Sequence, residues 1–284
     1  MKFAIITSIK DQAGINIHDS LVKNHGFSEN GTLDGNSKYS LELKKNPVEL
    51  LTVKKESVFE KDIDKRIDAD YFIFATRHQS SSEAPAFTVH PIGNWGEAEM
   101  GGEAKKLCIA PSALMKISIQ TLDEKAEEHK LKGTEVLFES THHGPLLSKP
   151  VMFIEIGSSR KQWGDTNIGK IMADSIIASI EKFIAHIKSE SRFKTAVGIG
   201  GIHYANNFMK IIRNTDIAMG HICPKYNLHN FNKALLFQAI EKTEKDSGET
   251  PGVIIDWKGL GDEKKNIRQL MDELKIEYRK TTDF

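Results

Sequence analysis

Five of the eleven histidines in the 284-residue chain stand in short polar clusters that directly follow apolar runs. His78 lies in Thr76-Arg77-His78-Gln79-Ser80 after Tyr71–Ala75. His142 and His143 lie in Glu139-Ser140-Thr141-His142-His143-Gly144-Pro145 after Glu135–Phe138. His203 closes Gly200-Gly201-Ile202-His203 after Ala196–Ile199, and His221 opens His221-Ile222-Cys223-Pro224-Lys225 after Ile217–Met219. A further run, Val151–Ile156, carries Glu155 within it and ends in Gly157-Ser158-Ser159. Neutral imidazoles and carboxylates are the ligand set of zinc, and a catalytic zinc takes three of them and a water. His78, His142, His143, Glu155, His203 and His221 are therefore candidate metal ligands. Glu139, His142 and His143 form the densest group and are the candidate catalytic residues, Glu139 as a ligand or as the base that takes a proton from water. The spacing is not His-Glu-x-x-His, so the common metalloprotease signature is absent. Adjacent side chains diverge, so His142 and His143 are expected to have different tasks. The alternative for the cluster is a hydrogen-bonded network of structural histidines, and for Glu155 an outward-facing edge residue.

These residues meet only if the runs are strands of one sheet. In a mostly parallel sheet the carboxyl ends share an edge, and ligands bind in the crevice there. The chain alternates short apolar runs with amphipathic stretches, the pattern of an α/β fold. Strands are expected at Phe3–Ile9, Tyr39–Leu43, Glu49–Val53 and Val253–Ile255, besides the five runs above. Helices are expected at Ile15–Asn24, Pro111–His129, Asn167–Ile187, about Tyr204–Arg213, Phe231–Lys242 and Glu263–Leu274. In Asn167–Ile187 eight apolar residues from Ile168 to Ile187 recur at helical spacing and mark a core face. Ser28–Lys38 is polar and reads as a loop, and Pro85–Gly102, rich in Gly and Pro, as a long ordered one. No repeat and no linker is evident, so one domain over 1–284 is expected.

Several residues outside the cluster are candidate substrate contacts. Trp95, among glycines in the long loop, could stack on the terminal adenine of an RNA; the alternative is a tryptophan that anchors the loop. Gly200 and Gly201, just before a helix, could offer backbone N–H groups to an anion, although no dinucleotide fingerprint is present. Arg77 and Lys225 are candidate phosphate or carboxyl contacts. The pairs Lys44-Lys45, Lys54-Lys55 and Lys105-Lys106 are expected to be mostly solvated. Cys223 is expected to be a buried free thiol. His18, His25, His129, His186 and His229 fall on helices or their flanks and are expected to be surface or packing residues.

Bulk numbers bound these possibilities. Lys+Arg and Asp+Glu both count 39, so no strongly basic footprint points to nucleic acid, while a local patch remains compatible with a neutral total. A hydrophobic fraction of 39% with 27% charged residues is that of a globular protein. Two distant cysteines, Cys108 and Cys223, argue for a reduced, cytoplasmic setting. The opening MKFAIITSI lacks the long apolar stretch of a signal peptide and reads as a first strand. No apolar run approaches the roughly 20 residues that span a bilayer.

Together, Ala75–Ser80, His90–Gly96, Glu139–Pro145, Phe153–Ser158 and Val197–Tyr204 resemble the archaeal and plant type of D-aminoacyl-tRNA deacylase, and Gly220–Tyr226 fits the same pattern. The motifs run from about residue 75 to 226. The resemblance implies a three-layer α/β/α sandwich with a mixed, mostly parallel sheet, phosphorylase/hydrolase-like and related to peptidyl-tRNA hydrolase. It implies Zn²⁺ as cofactor and tRNA carrying a D-amino acid as substrate. No obligate protein partner is evident. On this basis hydroxide from a zinc-bound water attacks the ester, Glu139 takes the proton, and the metal or N–H groups near Gly201 hold the oxyanion. The alternatives are a zinc peptidase or N-acyl amino acid hydrolase, which would accept RNA-free substrates, and a non-catalytic RNA- or metabolite-binding protein, which would have little need of Glu-x-x-His-His.

Overall fold

Short apolar runs bounded by turn residues build most of the twelve strands, and the segments between them build eight helices. The computed structural model describes residues 1–284. The strands are β1 (Phe3–Ser8), β2 (Ser28–Leu33), β3 (Asn36–Leu43), β4 (Asn46–Val53), β5 (Tyr71–Arg77), β6 (Ala86–Pro91), β7 (Glu135–Phe138), β8 (Val151–Gly157), β9 (Lys194–Ile199), β10 (Ile217–Cys223), β11 (Gly252–Ile255) and β12 (Tyr278–Lys280). The helices are α1 (Gln12–Asn24), α2 (Ile63–Arg66), α3 (Ser112–Glu128), α4 (Arg160–Trp163), α5 (Thr166–Lys188), α6 (Asn206–Asn214), α7 (Lys233–Glu241) and α8 (Lys264–Leu274). No helix is long and apolar enough to cross a membrane.

The expected mixed, mostly parallel α/β architecture is present, with its strands divided between two sheets. Eight strands run in the order β2-β3-β4-β1-β5-β8-β6-β7 and four in the order β10-β9-β11-β12. The second sheet is parallel throughout. In the first, β4, β1, β5 and β8 are parallel neighbours, whereas β6 runs antiparallel to β8 and carries β7 parallel to itself. One apolar core spans both sheets: Phe3, Ile73 and Ile154 from the first pack in one cluster with Ala196, Met219 and Ile254 from the second. Helix α5 supplies Ile171, Ile176, Ile180 and Phe183 to it, the face its periodicity marks, and is capped by Asp165, whose carboxylate accepts from Asn167 and Ile168 N–H.

Three local expectations are corrected. The polar stretch 28–38 is a hairpin arm. β2 pairs with β3 across Asp34-Gly35, both at positive φ (53° and 81°), the backbone a two-residue hairpin turn demands. Lys44-Lys45 forms the matching turn between β3 and β4, at φ 50° and 64°. The long loop 85–102 begins with β6, where Phe87 and Val89 face the core and Thr88 and His90 face the opposite way; two flanking prolines hide this short alternation. β10 continues to Cys223, four residues past its expected end, so His221 lies within a strand and not beyond it.

Candidate metal centre

Sheet register decides which side chains share the site. Glu155 lies on β8 between Thr76 of β5 and Thr88 of β6, its partners in the two ladders. Both hydroxyls donate to it, Thr76 Oγ1 to Oε1 at 2.7 Å and Thr88 Oγ1 to Oε2 at 2.9 Å. Glu155 is thus a buried central-strand carboxylate, not an edge residue. His78, one residue past β5, turns its Nδ1 toward Glu139 Oε1 (3.0 Å) and Glu155 Oε2 (3.5 Å), and its Nε2 meets the Tyr204 hydroxyl at 2.9 Å. A Cβ at Gly157 would stand 2.8 Å from Cδ2 of His78, so only glycine there admits this ring.

Glu139 to Thr141 leave β7 and run along the second sheet. Glu139 bridges to Tyr204, Ser140 N–H donates to His203 O (2.8 Å) and Thr141 N–H to Ile222 O (3.1 Å). This brings His203 Nε2 to 3.0 Å and His142 Nε2 to 3.5 Å from Glu139 Oε2. His142 and His143 do not diverge as expected. His143 adopts left-handed φ (43°), and the turn aims both rings at His90, with centroids 4.2 and 5.0 Å away.

Five imidazoles, of His78, His90, His142, His143 and His203, therefore surround two buried carboxylates. The convergence is not that of one sheet edge. Because β7 runs antiparallel to β8, its carboxyl end points away from that of β5, and the residues meet where the two sheets join. His90 and Glu155 come from within strands. His90 is the residue that sequence spacing missed; the signal was the Thr88/His90 alternation beside Phe87/Val89.

The tautomers are set by backbone carbonyls. Nδ1 of His90, His142 and His143 faces Pro91 O (3.2 Å), Ser140 O (2.8 Å) and Gly144 O (2.7 Å). Each donates there, which leaves an Nε2 lone pair on every ring. His90 Nε2 and both oxygens of Glu139 are buried without a well-aligned hydrogen-bond partner. Buried polar atoms are rarely left so, and ones whose ligand atoms gather within 4.8 Å, as in His90/His142/His143, Glu139/His142/His203 and His78/Glu139/Glu155, suit a cation. The donor set fits zinc.

Electrostatics agree. Burial opposes the charged form of Glu139, yet the imidazoles of His203 and His78, each 3.0 Å from one of its oxygens, hold it well below the carboxylate range. Glu155 is likewise held low against burial by His78 and His90. Burial works against a charged His78, but Glu139 and Glu155 outweigh it and raise the ring to about 11. His90 is also raised, chiefly by Glu155 against its burial. Burial and repulsion from His90 push His142 well below its ordinary value and His143 down to about 4. Two negative carboxylates thus attract positive charge, which at His90 Nε2 is either a proton or a metal ion in its place, while His142 and His143 stay neutral and able to ligate.

The cluster opens into a cleft of about 270 Å³ whose walls include Arg77, His78, His142, His143 and His203. Five other candidates lie outside it. Both ring nitrogens of His221 are occupied, by Thr141 Oγ1 (3.1 Å) and Cys108 O (2.8 Å), because β10 carries it into the core. Trp95 is 1% exposed and packs against His221 and Phe231, so it anchors the loop and offers no face to a base. The N–H groups of Gly200 and Gly201 donate to Cys223 O and Gly259 O and are not free for an anion. Lys225 is exposed, with its side chain along Gly261. Cys223 is a buried free thiol, as expected.

A histidine–carboxylate pocket set between the sheets of an α/β scaffold is the equipment of a hydrolase. The sequence is more specific: residues 65–279 match the D-aminoacyl-tRNA deacylase family, and the chain belongs to it. It is 38% identical over 287 residues to the D-aminoacyl-tRNA deacylase of Thermococcus kodakarensis, covering 98% of this chain and 99% of that one. With the Methanosarcina mazei deacylase it shares 34% identity, covering 99% and 93%. The crystal structure of the conserved protein of unknown function AF0625 has the same fold, with a TM-score of 0.83, 29% identity and coverage of 100% and 96%.

Proposed function

We propose that the chain hydrolyses the ester joining a D-amino acid to the 3′ end of tRNA, releasing both, with Zn²⁺ held by His90, His142 and His143 beside Glu139. One observation carries the metal assignment: three imidazoles whose Nδ1 atoms are tied to backbone carbonyls bring their ligand nitrogens within 4.8 Å of one another, with His90 Nε2 buried without a partner and His142 Nε2 3.5 Å from Glu139. Zinc there would polarise the ester carbonyl and ease deprotonation of the attacking water. The chain's own groups do the rest. Glu139 lies beneath the cleft and stays ionised, so the water's proton is taken by His203, whose Nε2 Glu139 holds at 3.0 Å and whose ring is about one-third exposed. Tyr204 and Glu155 orient His78 on the other wall. Arg77 stands at the cleft mouth as the contact for a substrate phosphate. The cytoplasm is the compartment where such a substrate is found.

Release of D-tyrosine from D-Tyr-tRNA is expected to fall by at least 10²-fold after chelation and in His142→Ala or His143→Ala, with zinc found in the parent protein by metal analysis. Full activity in all three would end the zinc mechanism. N-acetylated amino acids are expected to be left intact; their hydrolysis would favour a peptidase-like enzyme instead. L-Tyr-tRNA serves as the test of handedness.

A further inference from the structure

Arg77 and Gln79 do not end at the cleft. They continue into a second, open groove of about 780 Å³ that is also lined by Lys10, Arg160 and Lys161, with Glu83 as its single carboxylate. In a chain with 39 cations and 39 anions this is a local excess. None of Lys10, Arg160 and Lys161 takes part in an ion pair, and Arg77 reaches only Glu56, at 3.9 Å. Another groove, which shares Val58 with the cleft, is larger, about 1020 Å³, but balanced: Lys61, Lys65, Lys106 and Lys242 share it with Asp62, Asp64, Glu103 and Glu241.

The cationic groove is also held rigidly against the metal centre. Arg77 N–H donates to Asp11 Oδ2 (2.9 Å), its Nη1 donates to Lys10 O (2.9 Å), and its guanidinium lies 5.8 Å above the Trp163 ring. Trp163 Nε1 in turn donates to His78 O at 3.0 Å. Unpaired cations in a concave wall focus the field and draw in polyanions, and each phosphate that a cation neutralises releases counterions.

We infer that this groove seats the phosphate backbone of the RNA strand leading to the ester, with Arg77 at the phosphate nearest the cleft and Lys10, Arg160 and Lys161 at those farther along. The inference rests on the assignment of aminoacyl-tRNA as substrate, and its test separates the two. Binding of uncharged tRNA is measured across a salt series for the parent, Arg160→Ala/Lys161→Ala, and a control, Lys61→Ala/Lys65→Ala, in the balanced groove. The slope of log K against log salt is expected to become shallower by about 1.4 in the first variant, about 0.7 for each single-strand phosphate no longer neutralised, and to stay unchanged in the control. The ratio of kcat/KM for D-Tyr-tRNA to that for the D-tyrosyl ester of adenosine, which lacks the strand, is expected to fall about tenfold. A parental slope in the first variant, or an equal change in the control, overturns the inference. If the parent cleaves neither ester, the substrate assignment fails, and the tRNA-binding slopes still decide whether the groove holds RNA.

Discussion

At the residue scale the site is organised around charge that has no water to screen it. Glu139 and Glu155 are buried, and the imidazoles around them supply what solvent would. His90 shows the logic most plainly. It is fully buried, its Nδ1 is tied to Pro91 O, and its Nε2 is orphaned 3.8 Å from Glu155 Oε1. A cation at that nitrogen removes the deficit. His90→Ala is therefore expected to lower bound zinc and to cut the rate at least 10²-fold, while losing about 1–3 kcal/mol of stability. Metal analysis beside kcat is the check, and a variant with full zinc content and the parental rate would exclude His90 from the centre. Glu139, His78, His142, His143 and His203 were legible in the sequence as residues following apolar runs, and Glu155 as a carboxylate within one. His90 was not, because its signal is a two-residue alternation between prolines.

At the scale of elements, the ends of strands and the turns between them hold these groups in place. Gly157 closes β8 against the His78 ring, where a Cβ would come within 2.8 Å of Cδ2. Gly157→Ala should push His78 from Glu139 and reduce turnover tenfold or more with a small change in Tm; unchanged turnover would show that His78's placement is not critical. A second pairing of elements sets a pH dependence. Glu244, after α7, accepts from the Tyr71 hydroxyl at the start of β5 (2.9 Å), and its own carbonyl accepts from Ser112 Oγ at the start of α3. Burial raises its carboxyl from 4.5 to about 7, with the Tyr71 hydrogen bond acting the other way. The folded state then holds a proton that the unfolded state has lost, so stability falls as pH rises from about 4.5 to 7, by on the order of 3 kcal/mol at most. Glu244→Gln keeps an acceptor for Tyr71 and should flatten that fall. Urea titrations at pH 5 and 7.5 test it, and equal slopes for parent and variant would assign the pH dependence to other groups.

At the scale of the whole molecule, the division of twelve strands between two sheets matters most. The core runs through both, and residues 139–141 are hydrogen-bonded to the second sheet while following a strand of the first. We expect one calorimetric unfolding transition with equal calorimetric and van't Hoff enthalpies; two separable transitions would show that the sheets fold independently. The sequence by itself determined the α/β alternation, the family, the helix faces and the chemical types gathered at the site, because these depend on local periodicity and residue identity. It could not settle the reversal of β6 and β7, the extra residues of β10 or the turn at His143, since hydrogen-bonding partners distant in the chain select them. Those choices brought His90 into the cluster, carried His221 into the core and closed the N–H groups of Gly200 and Gly201. Long-range pairing, not local pattern, decides which polar atoms are left without partners, and in this protein those are the atoms on which function rests.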